Sequence, residues 1–496
     1  MAPCGIVALF LLALVTMTSA EPPACKIRIT SRGLEMLKAE TQRFVEEELG
    51  NMTMPDMQGK DGRFQYTIKE MKITELNLTG ADLRFQPDFG LLFEVHNSSI
   101  ALSFHRNILY WFFHDVGTIN ASAEGVNIHT ALHLSRDELG RLKISNVTCD
   151  AAVAKMRAKF SGTLGRVYQF LATFLTTAMR FVLNQQICPS LNHASLVLIN
   201  RLLDTIPVRS KVDDFVGIDY SLLSDPVVTS ASLDMDFKGM YYNLLNENDT
   251  IVNYAVTPVI REYDRMVYLA LSEYFFDSGF YGYYKAQVFQ MLISHEKKTS
   301  EPWMQMPKDL EMLLRTTYFA TIMMLNPALV EAPLSLEMKV TSSPRSTIKT
   351  SGASVSVNAI VIVMLHPPGK TPIQLSSMTM EGKLNAKVSM KGKRLAVHMD
   401  LRRFKIFSNQ SALESLALIP LQGPLKTMLQ LSVVPILNNR TKKGVQIPLP
   451  EGMDFIEEVV EYHNGFIVIG ANLHFTKGLR EVIEKSRNGV DNETIA

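Results

Sequence analysis

The stretch from about residue 163 to 205 constrains this chain more than any other. Leu164, Val167, Leu171, Phe174, Leu175, Ala178, Val182 and Leu183 follow helical spacing but cover more than one stripe. A helix that is apolar on most sides must be buried all round or line something apolar. Pro189 is expected to kink it or divide it in two. A membrane span is the wrong reading. The uncharged run 181–200 holds Asn184, Gln185, Gln186, Pro189, Asn192 and His193, and Val167–Met179 is only about two-thirds of the length a bilayer requires.

The segments around this helix carry a different period. Residues 32–49 read as an amphipathic helix through Leu34, Leu37, Phe44, Val45 and Leu49. Phe64, Tyr66 and Ile68 then alternate with polar residues, as do Leu83 and Phe85, Leu102 and Phe104, Val126 and Ile128, and Leu132 and Leu134. Such strands, broken at Gly59–Gly62 and Gln86–Gly90, predict an antiparallel sheet with one wet face. Residues 224–262 read as a linker with strand character at Val227–Phe237. The outline then repeats: a strand at Met266–Leu271, an aromatic-rich helix at 272–294, alternating strands from Leu334 to Phe407, and a long helix over 411–437 interrupted at Pro420 and Pro424. Sheet plus helices, twice, is an α+β chain of two large domains, which suits its 496 residues.

The first twenty residues read as a signal peptide: an apolar run from Ile6 to Val15, then Thr18 and Ala20 before the cut. An oxidising compartment gives meaning to Cys25, Cys149 and Cys188, whose odd count implies one bridge and one free thiol. Cys149 is expected to pair with Cys188, closing a loop of about 40 residues worth roughly 4 kcal/mol, with Cys25 left free. Sequons begin at Asn51, Asn77, Asn97, Asn120, Asn146, Asn248, Asn409, Asn439 and Asn492, which predicts a glycoprotein.

Hydrophobic residues make up 47% of the chain and charged residues 20%, enough for a large core with apolar surface left for a ligand. The net charge of +1 gives no reason to expect nucleic acid. Residues 21–250 carry 23 Lys+Arg against 27 Asp+Glu, and residues 251–496 carry 27 against 22, balances of −4 and +5.

No catalytic constellation emerges, neither a G-x-S-x-G elbow, a P-loop, H-E-x-x-H nor C-x-x-C. His105 and His114 as a metal pair, or Asp213-Asp214 and Glu457-Glu458 as acid/base couples, read better as packed or solvated groups. No enzyme activity, cofactor or metal is expected, an esterase or phospholipase being the distant alternative. Leu109-Tyr110-Trp111-Phe112-Phe113-His114-Asp115 stands out, because alternation stops and a strand cannot turn every ring inward. Rings half apolar and half wet suit a water–lipid boundary. A second cluster, Tyr274 to Tyr284, reads as helix-junction packing, and the basic run Lys383, Lys387, Lys391, Lys393, Arg394, Arg402, Arg403 and Lys405 as a solvated face or a contact for anionic headgroups.

Cys25-Lys-Ile-Arg-Ile-Thr-Ser, Tyr110-Trp-Phe-Phe, Asn120-Ala-Ser-Ala-Glu-Gly-Val, Leu183-Asn-Gln-Gln-Ile-Cys-Pro, Gly217-Ile-Asp-Tyr-Ser-Leu, Ser411-Ala-Leu-Glu-Ser-Leu-Ala-Leu-Ile-Pro and Gly444-Val-Gln-Ile-Pro-Leu-Pro-Glu-Gly closely resemble the family of bactericidal/permeability-increasing protein, lipopolysaccharide-binding protein and cholesteryl ester transfer protein. The resemblance covers essentially the whole chain after the signal peptide. It implies a boomerang of two elongated barrels, each a twisted antiparallel sheet with long helices, joined by a central β-sheet. It also implies the Cys149–Cys188 bridge. The divisions expected are 1–20 signal peptide, 21–223 N-terminal barrel, 224–262 linker and central-sheet strands, 263–475 C-terminal barrel and 476–496 polar tail. The resemblance implies an extracellular carrier that takes phospholipid acyl chains into apolar pockets and moves phospholipids between lipoproteins, such as high-density lipoprotein, and other lipid surfaces. Leu171, Phe174, Leu175 and Ala178 are the expected pocket residues in the N-terminal barrel, and Trp111, Phe112 and Phe113 the expected docking rings at its distal tip. A lipopolysaccharide-binding immune protein or a cholesteryl ester carrier on the same fold is the alternative; the acidic balance of the N-terminal half counts against the first. Glu296–Met306, with Trp303, stands as an insertion relative to the family pattern.

Overall fold

The computed structural model describes residues 21–159, 165–295, 303–408, 412–450, 452–475 and 481. The signal peptide, Asn409, Asn492 and nearly all of the tail lie outside them. The expected architecture is the one found: two elongated antiparallel sheets carrying long helices, joined through a central sheet.

In the N-terminal half, the helix Ser31–Gly50 buries Leu34, Phe44, Val45 and Leu49, the stripe its spacing predicts. Strands Met57–Asp61, Phe64–Asn77, Gly90–Tyr110, Phe113–Arg136 and Leu142–Lys159 follow in meander order, with Ala81–Gln86 pairing the near end of Gly90–Tyr110. Alternation sets the faces: Ile100, Leu102, Phe104 and Ile108 are buried, while His105 and Leu109 face out. Register shifts at Lys69/Lys72 and Val95/Ser98 bend the sheet, with Glu70 and Asn97 in left-handed backbone.

The helix Gly165–His193 returns across this sheet with Leu175, Met179, Leu183, Ile187 and Leu191 buried at four-residue steps. Pro189 lies inside the helix without dividing it. The irregularity falls five residues later, as a π-turn at Ala194–Ile199, after which Asn200–Asp204 completes the helix. Cys149 is bridged to Cys188, tying the last strand to this helix, and Cys25 is a free, buried thiol.

The central sheet has the order Val227–Val228, Ser232–Phe237, Cys25–Thr30, Val267–Ser272, Phe466–Phe475, Met453–His463. It therefore takes strands from the start, the middle and the end of the chain. Arg28 ties two of its strands together and reaches the segment before Val267–Ser272: its guanidinium donates to both carboxylate oxygens of its register partner Asp234 at 2.6 Å and to the carbonyl of Ile260 at 2.9 Å.

In the C-terminal half, the aromatic-rich helix spans Glu273–Lys285 and stops nine residues before its expected end. Ala286 caps it, Gln287 takes φ +57°, and Gln290–Ser294 leaves as a strand paired with Leu334–Val340. Sheet pairing overrides the run of helix-compatible residues there. A helix absent from the sequence reading, Lys308–Leu325, buries Leu310, Leu314, Tyr318 and Ile322. The large sheet runs Trp303–Gln305, Gln290–Ser294, Leu334–Val340, Gly352–Leu365, Ile373–Lys391, Arg394–Phe407, Val445–Gln446. The end of the apparent insertion is thus an edge strand, parallel to Leu292–Ser294, with the Trp303 indole donating to Ser294 Oγ at 2.9 Å. The last helices are Ala412–Ala417, Ile419–Met428 and Val434–Lys442, the latter two joined by a π-turn at Leu429–Val433. Pro424 lies inside the second of these without interrupting it, and helical structure continues past the expected end at 437.

Candidate functional site

Among the described residues two places stand out, one that exposes apolar rings and one that encloses an apolar cavity. The first is the turn between Gly90–Tyr110 and Phe113–Arg136. Tyr110 and Phe113 are register partners, so Trp111 and Phe112 are the two turn residues. The other end of that hairpin meets the central sheet, where Asp88 N–H donates to Val228 O and Asp225 accepts from Arg136 N–H. A strand of 21 residues separates the two ends, roughly 65 Å at the usual rise per residue. Trp111 is 62% exposed and Phe112 84%, while Phe113 is half-buried.

Trp111 has φ +58°, a left-handed conformation that a bulky residue rarely adopts. A hairpin with positive φ only at its first turn position favours Gly there. A large ring thus stands, exposed, where the backbone would prefer no side chain, and strain of this kind collects at functional positions. The neighbouring hairpin turn holds it: Trp111 N–H donates to Arg63 O at 3.1 Å, and the Arg63 guanidinium lies 4.6 Å above the indole ring. Behind the tip, buried Arg106 donates to Asp115 at 2.8 Å across the hairpin.

The second place is a cavity of about 180 Å³ in the C-terminal half. Val355, Val357, Ala359, Gly382, Leu384 and Met399 from the sheet form its floor. Leu429, Val433, Val434 and Leu437, from the π-turn and the helix after it, form its roof. Phe280, from the second aromatic cluster, closes one side, and Lys339 and Arg440 supply cations to its lining. The volume has two sources. Ala359 and Gly382 leave the floor low, the nearest atom to a Cβ built on Gly382 being Val357 O at 3.8 Å. The roof carries a π-turn and, just after it, Pro435, features that hold a helix off a regular path. The sequence reading found these strands and this helix but not the void. Gly382 in mid-strand was the available signal.

The remaining expected residues fall as follows. Leu175 is fully buried in the N-terminal core and Ala178 is half-buried, while the side chains of Leu171 and Phe174 lie outside the described residues. Asn51, Asn77, Asn97, Asn120, Asn146, Asn248 and Asn439 are all exposed. His105 and His114 do not converge: His105 faces Glu70 at 3.7 Å, and His114 bonds Asn107 at 2.8 Å. Asp213 is occupied structurally, accepting from Phe215 N–H, Val216 N–H and the Tyr283 hydroxyl. Glu457 accepts from Asn472 and pairs with Arg265. Most of the Tyr274–Tyr284 cluster is packing, with Tyr274 and Phe275 buried. Most of the basic run lies on the strands Ile373–Lys391 and Arg394–Phe407, where Lys387 and Lys391 alternate with buried Val388 and Met390; Arg402 and Arg403 are adjacent at a register shift, and Lys393, in the turn between the strands, donates to Pro450 O at 2.7 Å. Among the described residues, Glu262, Glu461 and His463 bring possible metal-ligand atoms within 4.8 Å of one another, away from both places described above. Also among the described residues, no helix is long and apolar enough to cross a membrane.

Comparison with known proteins agrees with this layout. The sequence pattern of the LBP / BPI / CETP family, N-terminal domain, matches residues 33–202, and that of the same family's C-terminal domain matches residues 210–475. The phospholipid transfer protein of Homo sapiens is 56% identical over 480 residues, covering 97% of this chain and 96% of that protein. Its Mus musculus counterpart is 54% identical over the same shares. The crystal structure of lipopolysaccharide binding protein superposes with a TM-score of 0.61 at 21% identity, over 92% of this chain and 100% of that one.

Proposed function

The chain belongs to the LBP / BPI / CETP family, and from that premise we propose that it is a secreted carrier that takes phospholipid acyl chains into apolar pockets and moves phospholipids between lipoproteins and other lipid surfaces. Phospholipid transfer is the activity named in relatives more than half identical over nearly the whole chain. The observation that carries the chemistry is the cavity with an apolar floor and roof and two cations in its lining. Each methylene shielded there is worth about 0.8 kcal/mol, and a cation at the mouth suits a phosphate. At about 180 Å³ the cavity slightly exceeds one of ~150 Å³ that admits benzene. A whole acyl chain enters when the roof lifts, and the π-turn at Leu429–Val433 is where the roof yields. A carrier of this kind lowers the barrier to desorption and performs no bond chemistry, so it is not an enzyme.

In this reading Trp111, Phe112 and Phe113 dock the N-terminal end on lipid. Leu171, Phe174, Leu175 and Ala178 belong to the lining of a second pocket beneath the long helix. The exposed sequon asparagines carry glycans on the secreted protein. The experiment is transfer of labelled phospholipid, cholesteryl ester and lipopolysaccharide from vesicles to lipoprotein, with wild type and the W111A/F112A/F113A variant. Preferred transfer of phospholipid, with binding and transfer both lost in the variant, is expected. Preferred transfer of lipopolysaccharide or cholesteryl ester, or a folded variant with full lipoprotein binding, contradicts the reading.

A further inference from the structure

The ring-bearing tip is two hairpins side by side. Phe64 pairs with Tyr110, so the turn at Gly62–Arg63 lies against the turn at Trp111–Phe112. The geometry described above puts the Arg63 guanidinium on the face of the Trp111 ring at the rim of the tip. A ring contact does not use all five N–H donors of a guanidinium. Those turned away from the indole stay available, in the fork geometry that matches two oxygens of a phosphate. Among the described side chains, Arg63 has the Trp111 ring and no carboxylate as partner, and two carboxylates of these strands are engaged elsewhere, Glu70 with His105 and Asp115 with Arg106. Lys60, on the same short hairpin, is also exposed. When the indole and Phe112 enter a lipid surface to the depth of the headgroups, the stacked guanidinium is carried to the level of the phosphates.

We propose that Arg63 reads phosphate at this tip, taking the phosphate oxygens of a surface phospholipid while Trp111 and Phe112 insert beside it. This rests on the docking role assigned to the rings and makes it selective. The rings supply affinity for any lipid surface, and Arg63 supplies preference for one that bears phosphate.

The test uses full-length protein and two kinds of vesicle with the same acyl chains, phosphatidylcholine and digalactosyl-diacylglycerol, the second lacking phosphate. Wild type is expected to bind phosphatidylcholine more tightly. R63Q is expected to bind phosphatidylcholine about tenfold more weakly and the galactolipid unchanged, the loss of one charge-assisted contact. R63K keeps part of the preference, because lysine retains the charge without the fork. Millimolar inorganic phosphate leaves the preference intact if the partner is a lipid surface. The proposal is overturned if R63Q weakens both vesicles equally, which makes Arg63 a prop for the ring. It is also overturned if R63Q weakens neither, or if inorganic phosphate abolishes the preference. Loss of the docking reading is a separate result: the triple alanine variant then binds both vesicles as wild type does.

Discussion

The two halves of the molecule use the same device at the same point and enclose different interiors. In each, a helix passes through a π-turn and then presents an asparagine to the last long strand of the sheet. Asn200 accepts from Ile144 N–H and donates to Ile144 O, both at 2.9 Å. Asn438 accepts from Met399 N–H at 2.8 Å and donates to Met399 O at 2.9 Å. An amide that mimics a neighbouring strand satisfies backbone groups the sheet edge would leave open. Beneath the first clip, Leu175, Met179, Leu183 and Ile187 join one group of buried residues that continues into the central sheet. In the C-terminal half the core is interrupted. Ala359, Met380 and Leu429 belong to one group of buried residues and Leu384, Met399 and Val434 to another, and the cavity is lined by both. The same clip therefore stands over one continuous group of buried residues in the first half and over a divided group with a cavity between its parts in the second.

The largest effect expected concerns the N-terminal half. Replacing Cys149 and Cys188 by alanine removes the bridge between strand and helix and is expected to cost about 2–5 kcal/mol in urea unfolding, with reduced secretion. Undiminished stability would mean that packing and the Asn200 clip suffice. Next in size are the clips. Asn200→Ala leaves a buried N–H and carbonyl unpaired and is expected to cost about 2–3 kcal/mol, whereas Asn438, half-buried, is expected to cost about 1 kcal/mol. Equal costs would break the contrast between the two seams. Smaller still is Trp111→Gly. Relief of the left-handed backbone is expected to leave stability unchanged or raise it by up to about 1 kcal/mol, while binding to vesicles weakens. A destabilised W111G would show that the ring is held there for packing.

The sequence displayed the parts that depend on local pattern. Alternation at Leu102 and Phe104 and the four-residue steps of the long helix are imposed by burial on one face, and both are visible in one dimension. The helix Lys308–Leu325 carries the same four-residue spacing, yet its outer face bears Met312, Phe319 and Met323 beside Lys308, Asp309 and Thr316, so the polar half of the pattern is diluted. The cavity was illegible for a different reason. Gly382 in mid-strand marks a place without a side chain, but neither it nor Ala359 shows a void until the roof above them is known, because a void is a property of two surfaces. Asn200 and Asn438 are neutral letters inside helices, and their partners lie 56 and 39 residues away. At the tip the reverse held: three adjacent rings broke the alternation, and the structure puts two of them in the turn.

The most direct test is to fill the container. Gly382 has ordinary backbone geometry, and no atom lies within 3.4 Å of an added Cβ, so Gly382→Leu enters the cavity without a backbone clash. The measurement is phospholipid bound per chain by native mass spectrometry, paired with vesicle-to-lipoprotein transfer of labelled phospholipid. G382L is expected to fold as stably as wild type, to lose the phospholipid held in the C-terminal half, and to transfer more slowly. A folded G382L with full lipid stoichiometry and an undiminished transfer rate would contradict the assignment of that cavity as the chamber of the carrier.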